Sequence, residues 1–115
     1  MCSNEVFVLD EGYLSDEWIK KYAVITNLGI FFFSKADRKD HPGFIPWLQF
    51  NLLLKPKNET IDGKKGLFVV RAGNKDPMTL SISNSDNRTR FVQKIKEMHK
   101  HYNTCKDLLS TDRDA

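Results

Sequence analysis

The sequence predicts a mainly β domain finished by one C-terminal α-helix, and two observations carry that prediction. From Val6 to Ile82 the chain breaks into about seven short segments rich in β-branched and aromatic residues, separated by turns containing Gly, Asn, Asp or Pro. Beyond Ser83 the apolar spacing changes. Phe91, Ile95, Met98 and Tyr102 recur at intervals of four, three and four, which is the stripe of an amphipathic helix.

Taken in order, Val6–Leu9 and Gly12–Leu14 read as a first strand, with Ser15, Asp16 and Glu17 as its turn. Trp18–Thr26 is a second strand, and Asn27-Leu28-Gly29 turns into a third at Ile30–Phe33. Strand side chains alternate between faces, so at least one of Phe31, Phe32 and Phe33 points away from the core, and core or sub-loop packing is the reading favoured for Phe32. Residues 35–43 form a polar loop ended by Pro42-Gly43. Extended structure resumes at Phe44–Leu48, where Pro46 cannot donate a ladder hydrogen bond and belongs at an edge or break. Asn51–Lys55, Gly66–Ala72 and Met78–Ile82 are the remaining strands, joined by a loop at 56–65 and a turn at 73–77. The helix can be capped by Ser83 or Ser85, with Asp86 near its positive end. Arg88, Arg90, Lys94, Lys96 and Lys100 lie off the apolar stripe, on the solvent face, and the pattern fades after Tyr102. This organisation divides the chain into an N-terminal tail at 1–4, a domain at 5–103 and a C-terminal tail at 104–115.

The chain's 115 residues suit a single domain that buries its core without disulfides or metal. A formal net charge of +3 permits attraction to an acidic surface without requiring one. The basic residues are dispersed among acids, which disfavours nucleic acid as a partner. Cys2 and Cys105, one near each end, form neither a metal spacing nor a disulfide framework, and reduced thiols in an intracellular protein are expected. Acylation of Cys2 is left open. No apolar run approaches the roughly 20 residues that span a bilayer.

The order and spacing of several short motifs resemble the pleckstrin-homology domain family. Glu11-Gly12-Tyr13-Leu14 is similar to that family's opening strand, and Trp18-Ile-Lys-Lys-Tyr-Ala-Val-Ile25 to its second. Asn27-Leu-Gly-Ile-Phe-Phe-Phe33 matches the third, and Gly43-Phe-Ile-Pro46 resembles a fourth strand seen in modules attached to Arf exchange factors. The resemblance covers about residues 5–103 and implies a seven-stranded antiparallel β-barrel or orthogonal sandwich capped by the helix. The family usually places a Trp in that helix where this chain has Phe91; the physical need is a large apolar plug, which Phe also supplies.

Nothing in the sequence carries catalysis. His41, His99 and His101 are scattered, and the latter two, two apart on a helix, point in different directions and read as exposed. No glycine-rich phosphate loop precedes a helix, and no cofactor is implied. A non-catalytic binding module is the expectation.

The resemblance also implies where a ligand would sit. Phosphoinositide-binding members hold an inositol phosphate between the loops after strands one, three and six, using a Lys at the end of strand one and a basic-x-Arg pattern in strand two. Here the first position holds Ser15 or Asp16 and the next holds Ile19; only Lys21 falls on a basic position. Asp16 and Glu17 would repel a polyphosphate at close range. Positive charge survives at Lys20, Lys21, Lys35, Arg38, Lys39 and Lys75, which could share one rim. The expected ligand is an anionic membrane surface or phosphoinositide headgroup, bound weakly and with little selectivity by a cytoplasmic protein that associates peripherally with membranes. The alternatives are a protein partner, or autoregulation of a neighbouring domain in a larger signalling protein.

Overall fold

The computed structural model describes residues 2–11, 16–34, 43–56 and 58–114, with side chains for 3–9, 17–34, 43–56 and 58–106. Among the described residues, seven strands precede one helix: β1 Cys2–Glu11, β2 Asp16–Ile25, β3 Gly29–Phe33, β4 Gly43–Pro46, β5 Phe50–Leu54, β6 Leu67–Ala72, β7 Met78–Ser81 and α1 Ser85–Asp114. All pairings are antiparallel, and the strands form one sheet in the order β4-β3-β2-β1-β7-β6-β5.

The sheet bends so that one face from every strand reaches a common core. Val6, Ala23, Ile25, Ile30, Phe32, Ile45, Phe50, Phe68, Val70 and Leu80 meet there with Phe91, Val92 and Ile95 of α1. Burying these side chains is the main favourable term in folding. The bend stops short of a barrel: β4 and β5 lie at opposite ends of the strand order and do not pair. Of the two shapes expected, the open orthogonal sandwich is the one formed.

Alternation decides the fate of the aromatic run. Phe32 is core, at 4% exposure, as expected. Phe31 and Phe33 face the other way; Phe31 stacks on Phe44 of β4 with ring centroids 4.5 Å apart.

Several boundaries differ from the sequence reading. β1 begins at Cys2 because residues 2–4 pair with Ala23–Ile25 of β2, and residues 16 and 17 are already in β2, opposite Glu11 and Asp10. The predicted continuation of the first strand at Gly12–Leu14 lies outside the described residues. Trp47 and Leu48 are not extended: β4 ends at Pro46, and a tight turn follows with Gln49 at φ 54°. The turn drives Trp47 inward, where it is fully buried and its indole Nε1 donates to the Thr26 carbonyl at 3.0 Å.

The helix is capped by Asn84, not by Ser83 or Ser85. The Asn84 side-chain oxygen accepts from the Asn87 amide at 3.0 Å, satisfying one of the amides left over in the first turn. The predicted stripe is the buried one: Phe91 and Ile95 are in the core, with Met98 and Tyr102 packed against it. Arg88 departs from its expected solvent position. It is half-buried, and its Nη2 donates to the carbonyl of Leu67 at 2.9 Å. His99 departs likewise, its ring lying against Trp47 and Phe50. α1 runs on to Asp114, through the segment read as a tail.

Candidate ligand-binding end of the sheet

Three connections leave the sheet at one end. The register brings Glu11 opposite Asp16 at the β1–β2 connection and Tyr22 opposite Phe33 where β3 ends. β7 starts beside the end of β1, since Val8 pairs with Leu80. Between β1, β2 and the β6–β7 turn lies a shallow groove of about 380 Å³, lined by Val8, Leu9, Ile19, Lys21, Asp76 and Met78 among others.

Lys21 is the cation of this groove. It pairs with Val6, a core residue, so it stands on the sheet's concave face at the point where that face opens to solvent. Its Nζ donates to the Ser34 hydroxyl at 3.0 Å. Extending the β2–β3 register by one residue puts Ser34 directly across from Lys21, so this partnership follows from the hairpin. Asp76, from the β6–β7 turn, brings one negative charge to the same groove.

Lys20 is separated from Lys21 by the two-residue period of the strand. It pairs with Phe7 and stands on the convex face, where its ammonium lies 5.9 Å from the centroid of the Tyr22 ring. Lys75 sits in the β6–β7 turn next to Asp76, bordering a second shallow groove with Pro46, Leu48 and Gln49. That turn is held by hydrogen bonds from the Lys75 amide to the Ala72 carbonyl at 3.1 Å and from the Gly73 amide to the Gln49 carbonyl at 2.9 Å. Lys35, Arg38 and Lys39 lie outside the described residues. Of the six predicted cations, then, Lys21 borders the turn that carries Lys75 and Lys20 faces the other way, while Glu17 is exposed near the start of β2.

The sequence reading missed Ser34: counting outward from a turn at Asn27-Leu28-Gly29 sets Lys21 across from Lys35, whereas the turn includes Thr26 and shifts the register so that Ser34 follows the Tyr22–Phe33 pair. It also missed that the β5–β6 connection folds over the convex face. Trp18 Nε1 donates to the Ile61 carbonyl at 3.1 Å, and the Lys64 ammonium lies 3.7 Å from the centre of the Phe7 ring. Among the described residues no cluster of His, Cys, Asp or Glu could hold a metal ion, and no helix is long and apolar enough to cross a membrane.

No protein-family model matches the chain, and no curated protein matches it in sequence. Solved structures do match in shape. The pleckstrin-homology domain of the human pleckstrin homology domain-containing protein family A member 5 superposes with a TM-score of 0.68 at 14% identity, covering 85% of this chain and 75% of that one. The C-terminal pleckstrin-homology domain of pleckstrin gives 0.64 at 14% identity, covering 86% and 95%. A further pleckstrin-homology domain gives 0.67 at 17% identity, covering 90% and 88%. At such identities the likeness speaks for the backbone architecture, and the strand order, open sandwich and capping helix described above are that architecture: this chain has the pleckstrin-homology fold.

Proposed function

We propose that the chain is a non-catalytic module of a cytoplasmic protein that binds acidic phospholipid surfaces weakly, with little headgroup selectivity. The observation that supports this best is Lys21, a cation on the concave face at the open end, beside the turn that carries Lys75. β3 is followed by Ser34, the partner of Lys21, and Lys35, Arg38 and Lys39 come next in the sequence. Each basic residue near an anionic leaflet contributes about 1 kcal/mol, so a handful gives reversible attachment. Asp76 in the groove and Glu17 nearby argue against a tight polyphosphate pocket, because a multiply charged headgroup would meet carboxylates at close range.

Co-sedimentation with phosphatidylcholine vesicles containing increasing phosphatidylserine tests this reading. Binding should rise with the anionic fraction and collapse between 0.1 and 0.5 M salt, roughly as the Debye length shrinks from about 10 Å toward 4 Å. Lys21→Glu and the pair Arg38→Glu with Lys39→Glu should each weaken it. Binding that ignores salt, or that survives all these reversals unchanged, would sink the proposal.

A further inference from the structure

The β6–β7 hairpin has two ends. Its turn, carrying Lys75, borders the groove described above. At the other end, where Leu67 pairs with Ser81, the chain enters β6 through Lys65 and Gly66 and leaves β7 for α1. A cavity of about 460 Å³ lies there, and its lining includes Lys65, Gly66, Ser83, Ser85, Arg88 and Thr89. Two cations and three hydroxyls stand around it, with no acid among the lining residues. The nearest acid in sequence, Asp86, borders a different depression with Thr89 and Arg90.

Arg88 stands at this cavity as an unmatched charge. It is half-buried, and one nitrogen, Nη2, donates to the carbonyls of Leu67 at 2.9 Å and Lys55 at 3.4 Å. Carbonyls occupy its hydrogens but leave the charge uncancelled. Nε is buried with no acceptor, and the guanidinium makes no ion pair among the described residues. A partly buried cation without a counter-charge is costly, because only a close opposite charge offsets the desolvation. Its place adds to the cost: Arg88 is the fourth residue of α1, beside the helix's own positive end.

The walls of the cavity are anchored. The buried Ser81 hydroxyl donates to the Lys65 carbonyl at 2.6 Å, and the Ile82 amide donates to the Gly66 carbonyl at 3.2 Å. Gly66 turns at φ +67°, close against Ile82, and a Cβ there would meet Arg88 Cδ at 3.3 Å. The exposed Lys65 side chain therefore springs from a fixed backbone. On the helix side, Thr89 donates its hydroxyl to the Ser85 carbonyl at 2.9 Å. The Ser83 and Ser85 hydroxyls make no hydrogen bond among the described residues.

We infer that this cavity is a binding site for a phosphate group, as the free ion or as a monoester. Cations without acids suit a dianion: a phosphate carries about −1.5 to −2 charge near neutral pH, whereas a carboxylate would leave one cation unmatched. Lys65 supplies a mobile point charge and Arg88 a fixed one, and the Ser83 and Ser85 hydroxyls donate to the remaining oxygens. The site shares no lining residue with the Lys21 groove and stands independently of membrane attachment there.

The test is an amide NMR titration of the full chain with inorganic phosphate, glycerol 3-phosphate and acetate, at constant ionic strength and about pH 7.5, where phosphate is largely dianionic. The Gly66, Ser83, Ser85 and Thr89 amides should shift saturably with both phosphates and not with acetate. Lys65→Glu changes an exposed side chain and should weaken phosphate about tenfold while the spectrum stays dispersed. The double variant Ser83→Ala with Ser85→Ala should weaken it too. Lys21→Glu should leave it unchanged. Tighter binding of glycerol 3-phosphate assigns the site to an esterified phosphate; tighter binding of the free ion assigns it to inorganic phosphate. Shifts that never saturate, an equal response to acetate, or a response centred on the Lys21 groove would overturn the inference. So would full affinity in Lys65→Glu, or no response at all.

Discussion

The indole of Trp47 and the imidazole of His99 lie nearly parallel, with ring centres 6.0 Å apart and planes inclined by 27°. Phe50 meets both rings closer to edge-on, at 5.0 Å from Trp47 and 5.1 Å from His99. This trio joins the β4–β5 turn and the start of β5 to the middle of the helix. Burial among the rings lowers the His99 pKa from its ordinary 6.5.

That shift makes stability depend on pH. The folded state holds His99 neutral more readily than the unfolded chain does, so the unfolded state binds more protons in the window between the two pKa values. The full contribution is present above pH 6.5 and is lost as pH falls through the depressed folded pKa. Urea midpoints measured from pH 8 to pH 5 should fall below pH 6.5, and His99→Phe, which keeps a ring and removes the titration, should flatten that stretch. Parallel curves for the two proteins would show that His99 contributes nothing to it.

Trp47→Ala should cost about 3–5 kcal/mol, the range for deleting a large aromatic from a packed core. Trp47→Phe should lose less. It keeps part of the packing but leaves the Thr26 carbonyl without its indole donor, a deficit of about 1–3 kcal/mol. Chemical denaturation of the two variants separates packing from hydrogen bonding.

Gly66→Ala should destabilise more than an ordinary surface change, by at least about 1 kcal/mol. Gly66 has φ +67°, and a Cβ there would overlap the carbonyl oxygen of Ile82. The same segment accepts a hydrogen bond from the Ile82 amide at 3.2 Å, so it cannot retreat without breaking the β6–β7 region. Gly63→Ala is the control: its φ is also positive, at +79°, but a Cβ would meet nothing within 4 Å. A thermal melt should rank Gly66→Ala well below Gly63→Ala.

Asn84→Ala should cost about 1 kcal/mol through loss of the cap, while Ser83→Ala and Ser85→Ala stay within a few tenths. Equal losses at all three positions would mean that the first turn is held by something other than the Asn84 side chain.

The local grammar was legible in the order of the residues. Alternating β-branched and aromatic residues demand strands, and the Phe91-Ile95-Met98-Tyr102 interval demands a helix whose buried side is known in advance, because both periods are properties of the backbone. The β2–β3 register was not legible in this way: the Thr26 hydroxyl joins the turn by bonding to Gly29 and Leu28, and that shift by one residue brings Ser34 to Lys21. The relations between segments far apart in the chain come from packing in three dimensions. Trp47 turns inward because Gln49 adopts a left-handed conformation and Thr26 offers a carbonyl. Arg88 leaves the solvent because Leu67 and Lys55 present carbonyls to it. Lys20 and Lys21, adjacent in sequence, stand on opposite faces because Phe7 and Val6 lie across from them. No local propensity contains the identity of a partner forty residues away; a bent sheet and the helix lying on it supply that.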